Sequence, residues 1–230
     1  MWRSWPIGLL LLSAPMARVQ AQSLADYDYT NLSFRGVGLD YGFIWPNKVD
    51  ATSLVSLRFD LGYLGPGVRI SPSVSYWSST FKGGELTRLT EQLNRLPALQ
   101  ERNVTIEPDE LGTLAWRDVS LSVDAQLVWT TPLRVITYLG GGVALHVLNG
   151  SGSAVGGTFV EDLLDTTTAG VAAMAGAELQ PFRRFRLYAE SRYTLLSDVR
   201  YLGMRVGGAF MLPQRAVPTP TPTQELQRSR

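Results

Sequence analysis

The sequence has no cysteine. That excludes disulfide staples, thiolate metal sites and a cysteine nucleophile, and it leaves the redox compartment open. It has one histidine, His146, and two lysines, Lys48 and Lys82. Charged residues make up 18% of the chain. Soluble domains carry roughly 25%, so part of this surface is expected to face something other than water. A formal net charge of +1 and a pI near 8.0 give no bulk field for nucleic acid. No stretch holds about twenty continuous apolar residues, so no helix is expected to cross a bilayer. A membrane form of the chain must then be a closed barrel, since only helices and closed barrels satisfy their backbone in lipid.

What the chain does have is alternation. In Val119 to Trp129, Val119, Leu121, Val123, Ala125, Leu127 and Trp129 share one parity, and Ser120, Ser122, Asp124 and Gln126 the other. Side chains of a strand alternate between faces, so this is a strand with one apolar and one polar face. At roughly 3.3 Å per residue and a tilt near 40°, it is long enough for the apolar band of an outer-membrane barrel.

The same pattern recurs. Strands are predicted at about 32–44, 54–63, 68–77, 119–129, 133–148, 168–179, 186–195 and 201–212. Gly65-Pro66-Gly67, Thr130-Thr131-Pro132 and the region of Pro181, Arg183 and Arg184 mark short turns, and the first, third and fifth connections are longer. Pro72 falls inside the third strand, where a bulge or displaced register is expected because proline cannot donate to a ladder. Leu86, Leu89, Leu93 and Leu96 recur at helical spacing between Glu85 and Pro97, which predicts a helix in the second outer loop. Residues 1–21 read as a signal peptide, with Arg3, the apolar run Ile7 to Leu12, and a cut after Ala21. Residues 22–31 read as a periplasmic lead-in, 32–212 as the barrel, and 213–230 as a disordered Thr-Pro tail. The fold class is thus all-β: an eight-stranded antiparallel up-and-down transmembrane barrel with a short helix in its second outer loop.

Alternation alone also fits a soluble barrel, in which the aliphatic face would point inward. Three features favour the membrane. No lysine falls in a strand, although soluble surfaces mix lysine and glutamate. Glycines crowd the polar face, as a narrow interior requires. Aromatics gather at strand ends, with Tyr63 and Trp129 at one side and Phe43, Trp45 and Tyr76 at the other, as interfacial girdles do. The interior is then expected to hold Asp40, Asp60, Asp124, Glu178 and Glu190 with Arg58, Arg69, Arg134, Arg186, Arg192 and Arg205. Buried charges must be paired, and an interior of eight strands is just wide enough for its own side chains, so these residues read as a structural salt-bridge plug.

Three segments carry a family resemblance: Tyr138-Leu139-Gly140-Gly141-Gly142-Val143, Tyr188-Ala189-Glu190-Ser191-Arg192-Tyr193, and Gly203-Met204-Arg205-Val206-Gly207-Gly208-Ala209-Phe210. With the signal and the strand pattern, they resemble the OmpA-type and opacity-protein-like eight-stranded outer-membrane barrels of Gram-negative bacteria. The resemblance implies residence in the outer-membrane lipid and recognition of the aromatic-ended last strand by the barrel-assembly machinery. The short Thr-Pro tail departs from that family, whose members end at the last strand or continue into a peptidoglycan-binding domain.

No catalytic, metal or cofactor site is expected. His146 points into the lumen near the outer mouth, but Ser151 and Ser153 lack the same-face spacing that would pair a serine with it. Gly140-Gly141-Gly142 lies in a strand with no helix behind it, so it is no phosphate loop. Asp162 and Asp165 are too isolated a pair for calcium. The expected role is envelope integrity or surface interaction through the outer loops. A barrel that binds or transports a small or hydrophobic ligand is the alternative, and a lipid-modifying enzyme a third.

Overall fold

Alternation becomes pairing in a computed structural model that describes residues 32–95, 97–101, 106–107, 112–152, 165–197 and 199–213. The expected signal, the lead-in, Leu96, Ser153, Asp162 and the tail beyond Pro213 lie outside the described residues. Eight strands are present: β1 (Leu32–Pro46), β2 (Thr52–Gly65), β3 (Val68–Thr80), β4 (Leu114–Thr130), β5 (Ile136–Gly152), β6 (Thr166–Phe182), β7 (Phe185–Leu196) and β8 (Arg200–Met211). Each pairs antiparallel with its sequence neighbours, and β1 also pairs with β8 from Gly36↔Met211 to Pro46↔Tyr201. The sheet is a closed barrel. Among the described residues, α1 (Gly83–Asn94) and α2 (Pro97–Gln100) lie between β3 and β4.

Several boundaries differ from the sequence expectation. The strand expected from 119 begins at Leu114, which adds Trp116 and Asp118 to its inward face. The strand expected at 133–148 runs instead from Ile136 to Gly152. Leu133 and Arg134 belong to the turn before it, where the Thr131 N–H donates to Val135 O and the Arg134 N–H to Thr131 O. The Ala-rich sixth stretch forms a strand of 17 residues. Pro72 itself keeps register, since β3 and β4 pair without interruption through Pro72↔Val123. The irregularity falls on the other edge: four residues of β2, 59–62, face three of β3, 70–72, between the pairs Arg58↔Ser73 and Tyr63↔Arg69. Ser71 Oγ donates to Phe59 O at 3.1 Å and the Gly62 N–H to Asp60 Oδ1 at 2.8 Å, which satisfies the bulged backbone. Gly62 adopts φ +79, and a side chain there would also run into the Arg35 guanidinium. The bulge turns Tyr63 away from its expected place in the outward girdle. It is half-buried, with the Arg35 guanidinium 5.1 Å above its ring.

The two faces of the barrel are chemically opposite. Outward positions carry Val37, Leu39, Tyr41, Phe43, Leu121, Val123, Leu127, Leu139, Val143, Val171, Met204 and Val206, all exposed. Inward positions divide by height. Nearer the short turns they are charged and polar. Nearer the long connections, Ile44, Val49, Leu54, Trp77, Leu114, Trp116, Leu148, Val199 and Tyr201 form an apolar core. Leu93 of α1 is buried in that core, with Leu86 and Leu89 packed against it, so the leucine stripe closes the mouth. The loops beneath the helix are tied together, because Val49 bridges Phe81 and the Lys82 N–H donates to Lys48 O.

Candidate functional site

The candidate site is the barrel interior, and Glu190 of β7 is its hub. One carboxylate oxygen, Oε2, accepts from Arg58 Nη2 at 2.7 Å and from the Tyr138 hydroxyl at 2.8 Å. The other, Oε1, accepts from Arg205 Nε at 2.9 Å and from Arg205 Nη2, which makes that guanidinium a fork on one oxygen. Arg192 Nε lies 3.5 Å from the same Oε1. Asp40 of β1 completes this layer. Its Oδ2 accepts from the Tyr188 hydroxyl at 2.9 Å, and its oxygens form ion pairs with Arg58 at 3.7 Å and Arg205 at 3.6 Å. The Arg58 guanidinium sits 4.5 Å over the Tyr188 ring.

A second layer lies toward the short turns. Arg69 forks onto both oxygens of Glu178, and its Nε and Nη2 donate to Gln126 Oε1 at 2.9 and 2.7 Å. Arg186 Nη1 is 3.6 Å from both Glu178 Oε2 and Asp60 Oδ2. On the other side of Glu190, Arg192 pairs with Asp124, and above them His146 Nδ1 lies 2.8 Å from Asp118 Oδ2. These distances suit charge-assisted bonds, and each arginine presents its planar fork to a carboxylate or amide. Glycine makes the room: a Cβ on Gly176 would strike the Tyr138 ring, and one on Gly142 the Asp124 carboxylate.

The inward charges predicted from sequence therefore meet as Asp40, Arg58, Asp60, Arg69, Asp124, Glu178, Glu190, Arg192 and Arg205, with Arg186 beside them. Arg134 does not. It is exposed in the turn before β5, because the strand starts at Ile136, three residues later than alternation implied. Sequence reasoning missed Asp118, the partner of His146. The parity of Trp116, Asp118, Ser120 and Ser122 carried the signal, had the strand been started earlier.

The polar and charged part of the interior is full. The cavity bordered by Ser120, Ser122, His146, Arg192 and Thr194 measures about 30 Å³, and the one bordered by Arg58, Arg69, Glu178 and Tyr188 about 20 Å³. Each is of the order of a single water. An outward apolar belt around an inward network of paired charges is the reverse of a soluble protein. This is the fold of the eight-stranded outer-membrane β-barrels.

No family model matches the chain, and no curated protein matches it either. Solved structures of similar shape include Ail, the attachment invasion locus protein of Yersinia pestis, at 13% identity and TM-score 0.49, covering 79% of this chain and all of that one. Neisserial surface protein A is 15% identical at TM-score 0.49, covering 77% of this chain and 97% of that one. The N-terminal barrel domain of Pseudomonas aeruginosa OprF is 12% identical at TM-score 0.45, covering 77% and 97%. At these values the fold assignment rests on this chain's own closure, register and reversed faces. The barrel is a membrane barrel, and the bacterial outer membrane is the bilayer that holds single-chain barrels of this size.

Proposed function

We propose that the chain is a sealed small outer-membrane barrel that serves envelope integrity or surface interaction through its outer loops. The observation that carries this is closure in two stages along one axis. A paired-charge plug fills the half near the short turns, and an apolar core capped by α1 fills the half near the long connections. An ion would have to break buried pairs and then cross an apolar layer, and each step costs several kcal/mol. In planar bilayers the purified barrel is expected to show no steady channel current. A sustained, ohmic conductance would overturn the sealed reading.

A second reading has one observation of its own. A cavity of about 550 Å³ opens beneath α1, with Leu89, Trp116, Leu148, Leu196 and Val199 as apolar walls and Gln92, Thr166, Thr168 and Ser197 at its polar edge. That is within the size range of ligand pockets, and it suits a small hydrophobic ligand at the outer mouth. A component of tryptophan quenching by a brominated fatty acid that disappears in Trp116→Phe, on top of the quenching of the outward Trp45 and Trp129, would favour it.

The His146–Asp118 pair has the first two members of a nucleophilic triad, but no serine hydroxyl is seen bonded to the imidazole among the described residues. We read it as part of the packing between the two plugs. His146→Ala is expected to leave the envelope's lipid A acylation unchanged and to lower barrel stability by about 1–3 kcal/mol, since the Asp118 carboxylate loses its partner. Altered acylation would revive the enzyme. Recognition of β8 by the barrel-assembly machinery, through the outward Phe210, belongs to the same proposal.

A further inference from the structure

The short-turn end of the barrel carries a feature that sealing does not require. Leu133 and Phe182 are the most exposed large apolar side chains among the described residues, at 84% and 71%. Both lie in turns or at a strand end, beside Arg134, Arg183 and Arg184. All three arginines are exposed. The other charges described at this end are engaged: Asp60 and Glu178 with Arg186, Glu178 also with Arg69, and Arg35 against Tyr63. Every exposed charged side chain described at this end is therefore an arginine.

The two turns that carry these residues are neighbours. β5 and β6 pair up to Ile136↔Glu178, so continuing the register brings Arg134 toward Gln180. Phe182 pairs with Phe185 to close the next turn around Arg183 and Arg184. Their backbones are held. Gln180 Nε2 donates to Arg183 O at 3.0 Å, and the Met211 N–H donates to Arg184 O at 2.8 Å. Arg134 also adopts φ +61, alone among the described non-glycine residues in the left-handed region. Glycine or asparagine would sit there with less strain. The Arg134 side chain stands in solvent from this left-handed backbone.

We infer that this rim binds anionic phospholipid headgroups of the leaflet it faces. Leu133 and Phe182 enter the acyl boundary, and Arg134, Arg183 and Arg184 meet the phosphates above it. Guanidinium forks match phosphate oxygens, and an apolar wedge beside a cation is the composition of a membrane-surface contact. Attraction to an anionic surface is worth roughly fivefold per arginine, so the three together give a lipid preference on the order of a hundredfold. The inference rests on the barrel spanning a bilayer.

The test uses the full chain folded into phosphatidylcholine vesicles doped with either brominated phosphatidylglycerol or brominated phosphatidylcholine. Quenching of tryptophan emission is read, to which the outward Trp129 beside this rim contributes. The wild type is expected to be quenched more by the anionic lipid, and to lose that preference near 1 M salt, where the Debye length is about 3 Å. Arg134→Gln/Arg183→Gln/Arg184→Gln should lose the preference at low salt. Arg134→Gly removes one charge while relieving the left-handed backbone, so it should fold and lose about fivefold of the preference. Equal quenching by both lipids in the wild type, or an unchanged preference in the triple variant, would overturn the inference. Quenching by neither lipid would mean that the barrel is not in the bilayer, and the membrane reading would fall with it.

Discussion

Glu190→Ala is expected to destabilise the barrel by about 3–5 kcal/mol, because it strands buried cations without a partner. Arg58 and Arg205 both direct guanidinium N–H groups at this carboxylate, and the Tyr138 hydroxyl donates to it. Asp40 cannot replace it, since its contacts with the same two arginines are 3.7 and 3.6 Å and its Oδ2 already accepts from Tyr188. The loss should appear as a lower urea midpoint for the barrel in lipid vesicles, with the slope preserved. The double variant Glu190→Ala/Arg205→Met should recover the part of the loss that comes from orphaning Arg205, while Arg58 still lacks its 2.7 Å partner. If Glu190→Ala unfolds at the wild-type midpoint, the charged layer is not a packed plug.

Trp77→Ala is expected to produce a loss of similar size, about 3–5 kcal/mol, for a different reason. Trp77 is 1% exposed, inside the apolar core of the outer half. Its ring meets Tyr201 edge-on at 6.2 Å and an interplanar angle of 71°. Truncation leaves a cavity that strands on both sides of the lumen hold open. Trp45, near the same height on the outward face, is 48% exposed and is the natural control. Trp45→Ala leaves no internal void, so its effect should be well below that of Trp77→Ala. Equal effects would mean that the outer half of the lumen is not a packed core.

Much of this fold was readable because a strand has a period of two. Once Leu121, Val123 and Leu127 shared a parity, the faces of β4 were determined, and the same held for the other strands. The helix was legible for a similar reason, since Leu86, Leu89 and Leu93 recur on one face of a 3.6-residue period. The places where reading fell short are those where periodicity says nothing. Alternation has no natural end, so Arg134 kept the correct parity while lying in a turn with a left-handed backbone. At the other extreme, the alternation read at 119–129 leaves out the first residues of β4, which starts at Leu114, and so leaves out Asp118; the exposed Arg117 stands on the outward face there. The apolar layer of the lumen was hidden for another reason. Ile44, Leu54, Trp77 and Leu148 share the inward parity of the polar residues, and the rule that the polar face points inward gave no ground to expect them there. The irregularity expected at Pro72 lies across from it on β2, at 59–62, while the β3–β4 edge pairs without a break.

The central claim is that the aliphatic face of this barrel meets lipid and the charged face meets itself. The absence of cysteine permits a direct measurement: single cysteines at 119, 121, 123 and 127 of β4, and at 122 between them, each spin-labelled in the folded, vesicle-bound protein. Collision rates with oxygen, which concentrates in lipid, are compared with those of a water-soluble nickel complex. The structure requires high oxygen and low nickel accessibility at Val119, Leu121, Val123 and Leu127, and low accessibility to both at Ser122. Nickel accessibility at the aliphatic positions, or an oxygen-accessible Ser122, would show that the faces are reversed or the barrel is open.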